Sequence, residues 1–185
     1  MILLYFLFLF DFIDYFMGLF CNLSARLEVT ANRSRSHHVV APPSNTEHGH
    51  CLVERTENII RISVAEGINQ ELVKRYQQEM ARELAILNGS LWGVHLVING
   101  DVLMTPDATA RLIQETSRHL ALGRCGTAIE LVNSQAISIL RSFWSRIYQE
   151  ADVPYCFVNN RQEAVDWLQQ QIAAAQSGRA GGTPE

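Results

Sequence analysis

Lysine is almost missing from this sequence of 185 residues: Lys74 is the only one, and Arg supplies the rest of the 15 basic side chains. No functional reading attaches to that bias. Acidic residues outnumber basic ones, 19 to 15, which gives a formal net charge of −4. A broad nucleic-acid surface needs clustered cations, so nucleic acid is not an expected partner. Cysteine is sparse, and Cys21, Cys51, Cys125 and Cys156 show no CxxC or other short metal spacing. No metal is therefore expected, and the thiols read as reduced and structural. Cys156, inside the apolar run "VPYCFV", reads as a small buried hydrophobe. Catalytic signatures are missing as well: there is no GxGxxG, P-loop, GxSxG or HExxH. "GRCG" at Gly123 to Gly126 leaves a helix and enters a strand, the reverse of a phosphate cradle, and Cys125 has no activating base beside it. No cofactor and no enzymatic chemistry are expected.

What is present falls into unequal parts. Hydrophobic content of 48% with 18% charged residues fits one globular core plus an appendage. The appendage is "MILLYFLFLFDFIDYFMGLF", apolar over a length that could span a bilayer, yet without the positive start and small-residue cleavage site of a secretory signal. Asp11 and Asp14 sit near its middle, and each costs about 2.5–3.5 kcal/mol at a helix centre on insertion scales. Two readings of residues 1–22 stand: a weak membrane anchor, or translated sequence upstream of the true start. No Met lies between Met17 and Met80, so the second needs an alternative start near Val39, Val40 or Leu52. Arg26, Arg33 and Arg35 follow the segment and would keep the domain in the cytoplasm, tethered to the inner face of the membrane through residues 1–20. Residues 23–50 carry "NRSRSHH" and "APPSNTEHGH" without a period, the mark of a linker.

From Cys51 the pattern becomes regular. "CLVERTENIIRISVAEG" predicts a hairpin turning at Glu57-Asn58, with Ile60, Ile62 and Val64 on one face. Asn69 caps a helix with the stripe Leu72, Tyr76, Met80, Leu84 and Leu87, ended by Asn88-Gly89. "WGVHLVI" is a strand, and Thr105-Pro106 opens a helix with Ala108, Leu112, Ile113 and Leu120 inward. "TAIELV" is the next strand. Ser134 begins a helix with the stripe Ile137, Leu140, Phe143, Trp144, Ile147 and Tyr148. "VPYCFV" is the last strand, and Asn160 opens a final helix. The fold class is therefore α/β: a mixed, mostly parallel sheet of about five strands, β-β-α-β-α-β-α-β-α, with helices packed on it. The domain is expected over 51–175, with a disordered tail at 176–185.

Three stretches, "HCLVERTENIIRISVAEGINQELVKRYQQEMARELA", "WGVHLVINGDVLMTPDATARLIQE" and "VPYCFVNNRQEAVDWLQQ", resemble the STAS/SpoIIAA-like group. Within it the chain is most similar to small bacterial proteins described as STAS/SEC14-type. The resemblance covers about Cys51 to Ile172 and implies a βα superhelix. It also implies a regulatory or protein-interaction role without chemistry, with another protein as partner. Antagonists in the group carry an Asp-Ser-Ser/Thr-Gly-like phosphosite after the third strand. Here Met104-Thr105-Pro106-Asp107-Ala108 stands there, without the serine or the glycine.

Two surfaces are candidate sites. Ligands of open α/β sheets bind outside the carboxyl ends of the strands. Those ends carry Asn99, Asp101, Thr105 and Asp107, then Asn133 and Ser134, then Asn160 and Arg161. Helix N-termini there could hold an anion, as a nucleotide or lipid module would require. The competing reading is plain capping, which Thr105, Ser134 and Asn160 all suit. Arg61, Ser63, His95 and Glu130 interrupt their strands opposite the apolar set and would line the other face, as solvated surface or as a docking surface. His95 lacks a visible carboxylate partner for acid-base work.

Overall fold

The structure is a computed structural model that describes residues 49–180. Residues 1–22, most of the expected linker and residues 181–185 lie outside the described part. A hairpin opens the domain, with β1 (His50–Thr56) antiparallel to β2 (Ile59–Ala65). Glu57 takes φ 53° in the turn. Then come α1 (Gln70–Leu87), β3 (Trp92–Asn99), α2 (Pro106–Ala121), β4 (Arg124–Val132), α3 (Ile137–Glu150), β5 (Tyr155–Val158) and α4 (Arg161–Ala180). The five strands lie in sequential order, β1-β2-β3-β4-β5, and every pair after the hairpin is parallel. The expected fold class and element order are observed. α4 runs on through Ala180, past the end of the apolar period near residue 175.

Strictly sequential order has a consequence for the layers. Crossovers between parallel strands are right-handed, so three successive crossovers advancing in one direction place their helices on one face. α1, α2 and α3 accordingly share one core with Ile60, Ile62, Val94, Leu96, Ile98 and Ile129. α4 follows the last strand and is no crossover, which leaves it free to cover the opposite face. Leu168 and Trp167 of α4 pack there with Ala128, Cys156 and Val158. Two glycines permit this close approach. A Cβ on Gly93 would lie 2.7 Å from the Leu168 Cδ2, and one on Gly126 would lie 2.9 Å from the Trp167 ring.

The helix ends are built largely as the residues suggest. The Leu72 N–H donates to the Asn69 Oδ1 at 3.0 Å, and Asn88 closes α1 in the left-handed region. The Ala108 N–H donates to the Thr105 Oγ1 at 3.3 Å, with Pro106 in the first turn. At α4, the Glu163 N–H donates to the Asn160 Oδ1, and the Asn159 N–H donates back to the Glu163 carboxylate. Among the helix starts, only α3 departs from expectation. It begins at Ile137, its N-cap residue Ala136 offers no side-chain cap, and Ser134 does not cap it. Ile137 is consequently exposed rather than part of the inward stripe.

Candidate functional site

The strand-end residues are occupied with one another. Asp101, in the loop after β3, accepts from the Ser134 hydroxyl at 2.6 Å and from the Gln135 and Ala136 N–H groups at 3.0 Å each. It supplies the cap that α3 lacks, from a different loop. These bonds, Ser134 first, hold the Asp101 carboxyl below its ordinary range. Asn133 donates to Asn99 across the same edge at 3.0 Å. The structure thus joins Asn99, Asp101, Asn133 and Ser134. Thr105 and Asp107 stay at the start of α2, and Asn160 and Arg161 at the start of α4. The sheet order also has no reversal, hence no topological switch point where strand-end ligands of open sheets usually bind.

On the face that carries α4, Arg61 pairs in register with His95, and Glu54 lies opposite Arg61. His95 is buried, and its Nε2 lies 2.9 Å from the Glu130 Oε2. The carboxylate partner that the sequence concealed is therefore Glu130, one strand away and diagonal. Burial, aided by the charges of Arg61 and Arg161, holds the His95 ring below its ordinary value against the pull of Glu130. A ring so enclosed, bonded to a carboxylate rather than to a hydroxyl or thiol, is a packed polar pair.

The arrangement with most chemical content lies inside the other layer, between the sheet and α1–α3. A cavity of about 40 Å³ opens among Leu72, Tyr76, Leu96, Met104, Trp144 and Tyr148. Arg124 reaches it from the first position of β4 and is itself only 4% exposed. A bulge puts it there. Trp92 pairs with Arg124 but Gly93 pairs with Gly126, so Cys125 is an extra residue in the register. That insertion turns Arg124 onto the inner face beside Trp92. Its guanidinium lies 5.8 Å from the Trp92 ring centre and 5.7 Å from that of Tyr148, and Nη2 donates to the Thr127 Oγ1 at 2.6 Å. Nε and Nη1 have no partner, and neither has the Trp144 indole N–H.

Polar groups on α2 continue this interior. Thr116 and His119 are buried, and the Thr116 hydroxyl and both His119 ring nitrogens lack hydrogen-bond partners. Glu115 lies 3.4 Å from the His119 Nε2, a long and poorly aligned polar contact. Burial is the main cause that keeps His119 below its ordinary value. The His119 ring in turn lowers the Glu115 carboxyl, against the effect of that group's own burial. Burial raises the hydroxyls of Tyr76 and Tyr148, so both are neutral donors at physiological pH.

No family model matches the chain, and no curated protein resembles it significantly. The chain is similar to the crystal structure of an uncharacterized protein from the DUF3478 family with a SpoIIAA-like fold, from Shewanella loihica PV-4. The TM-score is 0.49 and the identity 14%, over 68% of this chain and 97% of that one. That likeness assigns no site. Among the described residues, no group of three or more His, Cys, Asp or Glu is arranged to hold a metal. No helix among them is long and apolar enough to cross a membrane.

Arg124 was not legible in "GRCG". Strand parity counted back from Ala128 puts it on the opposite face, and only the bulge at Cys125 reverses that. Thr116 and His119 were equally hidden, because Leu112, Ile113 and Leu120 offered a sufficient apolar stripe for α2.

Proposed function

We propose that the domain is a non-enzymatic regulatory module that takes a small molecule between its sheet and the α1–α3 layer. One observation carries the reading: a cavity in the middle of the core, bordered by N–H donors that have no acceptor. Protein interiors are packed to crystal-like density and leave few voids larger than water. Buried donors without acceptors cost about 1–3 kcal/mol each. The cavity reaches Ile68 and Met104 in the loops after β2 and β3, but its lining includes none of the strand-end polar groups, which are engaged with one another.

A protein partner is the second reading, and exposed apolar side chains favour it. Leu103, Ile137 and Ile139 are 48%, 49% and 63% exposed, and they flank the contacts that Asp101 makes with the start of α3. A partner bound there would sense any ligand that shifts α3.

Melting of the full chain, scanned against small apolar and amphiphilic molecules of three to eight heavy atoms, tests the first reading. A ligand specific for the folded state raises the midpoint with its concentration. We expect a saturable rise that Leu112→Trp, which fills the rim of the cavity, removes. No rise with any such molecule would defeat the reading.

A further inference from the structure

We infer that the molecule taken into this cavity is a small carboxylate, its anionic head held by Arg124 and any carbon beyond the head set against the apolar walls. The inference rests on the ligand-binding reading above and names the class of ligand. Its carrying observation is a cation in the wrong place. Arg124 is 4% exposed and makes no ion pair among the described residues.

Taking an ion out of water costs several kcal/mol unless an opposite charge and hydrogen bonds replace the solvent. Two aromatic rings and the hydroxyls of Thr127 and Tyr148 replace part of it here, which leaves the charge itself without a counter-ion. Water in the cavity could satisfy the free N–H groups, but it brings no negative charge. A carboxylate brings the charge and accepts from one free edge of the guanidinium, and the Trp144 indole N–H is a further unpartnered donor on a residue lining the same cavity.

The walls select among anions. Apart from Arg124 and the two tyrosine hydroxyls, the lining is aliphatic, aromatic or sulfur-bearing. A phosphate dianion would bring more charge than one guanidinium can balance. Size is also limiting. At roughly 10–15 Å³ per water-sized group, the cavity of about 40 Å³ holds about three such groups. That is a carboxylate with one or two carbons. A longer chain needs the half-buried Met104 and Leu112 to move, and Met is the more adaptable of the two.

The experiment compares straight-chain carboxylates from acetate to octanoate with primary amides and alcohols of the same length. Binding to the full chain is followed by calorimetry and by melting at fixed ionic strength. The expected result is at least a tenfold preference for the carboxylate over its amide at each length that binds. Arg124→Met should abolish that preference, with carboxylate binding weakened at least tenfold. Where Arg124→Met does not fold, the Arg124 Nε–H resonance of the native protein gives the answer: it should shift with carboxylate and stay in place with amide. Equal binding of acid and amide, or stronger stabilisation by inorganic phosphate, would overturn the carboxylate assignment and leave the ligand-binding reading standing. Failure of every probe, acid and neutral alike, would overturn both.

Discussion

Asp101 ties the loop after β3 to the start of α3 through one oxygen that accepts three hydrogen bonds. Because its folded value is depressed, the stabilisation is present above the unfolded carboxyl range and disappears as pH falls through the folded value. Asp101→Asn should lower the melting midpoint at pH 7 and narrow the gap from wild type at pH 3, measured by circular dichroism. The buried histidines act in a higher window. His95 and His119 are both held below the usual histidine value of about 6.5, so the unfolded chain takes up protons first as pH falls past it. The urea midpoint should therefore drop between pH 7.5 and 5.5, and His119→Gln should flatten part of that slope. A wild type equally resistant at both pH values would show the rings are not held neutral. Thr105 behaves as a cap: Thr105→Ala should cost about 1 kcal/mol in urea unfolding, and Thr105→Asn should recover most of it. Phosphate on Thr105 in cells, with partner control lost in the Asn variant at unchanged stability, would show a switch instead. The thiol of Cys156 is half-buried rather than fully enclosed as expected, and burial pushes it up to about 11. It should label slowly at pH 8. Caps such as Thr105, Asn69 and Asn160 were legible because they act within a few residues. The Asp101 cap and the Glu130 partner of His95 were not, because each crosses more than thirty residues of chain.

α2 shows what periodicity can and cannot reveal. Its inward face carries Ala108, Thr109, Thr116 and His119 fully buried, whereas Leu112, Ile113 and Leu120 are only partly so. A hydrophobic stripe locates a helix and roughly orients it, but buried polar residues at the same spacing are invisible to such a count. The remaining helices and all five strands were readable, since each combines a clear period with turn residues at its ends. α4 is the instructive exception in placement, for nothing in its own sequence says which face of the sheet it covers. The glycines beneath it do. Gly93→Ala should cost roughly 1–3 kcal/mol through overpacking against Leu168. In the double variant with Leu168→Ala, the two losses should add to less than their sum, because the second change removes the clash. Strict additivity in a urea double-mutant cycle would mean that α4 does not press on β3 at that point.

For the molecule as a whole, residues 49–180 hold a five-stranded sheet with apolar packing on both of its faces. A fragment of those residues should fold by itself, with a cooperative urea transition and dispersed amide resonances. Recovery of the fragment only as aggregate, when the full chain is soluble, would contradict this. The sequential strand order also bears on how the protein is made. Each strand, once it leaves the ribosome, finds its sheet neighbour in the segment synthesised just before it, so no pairing has to wait for distant chain. Growth of the sheet can thus keep pace with translation, one βα unit at a time. The final helix is the exception. Until Arg161–Ala180 has emerged, the nascent sheet keeps Gly93, Gly126 and Ala128 bare on one side, and that interval is when the chain most needs shelter from its neighbours.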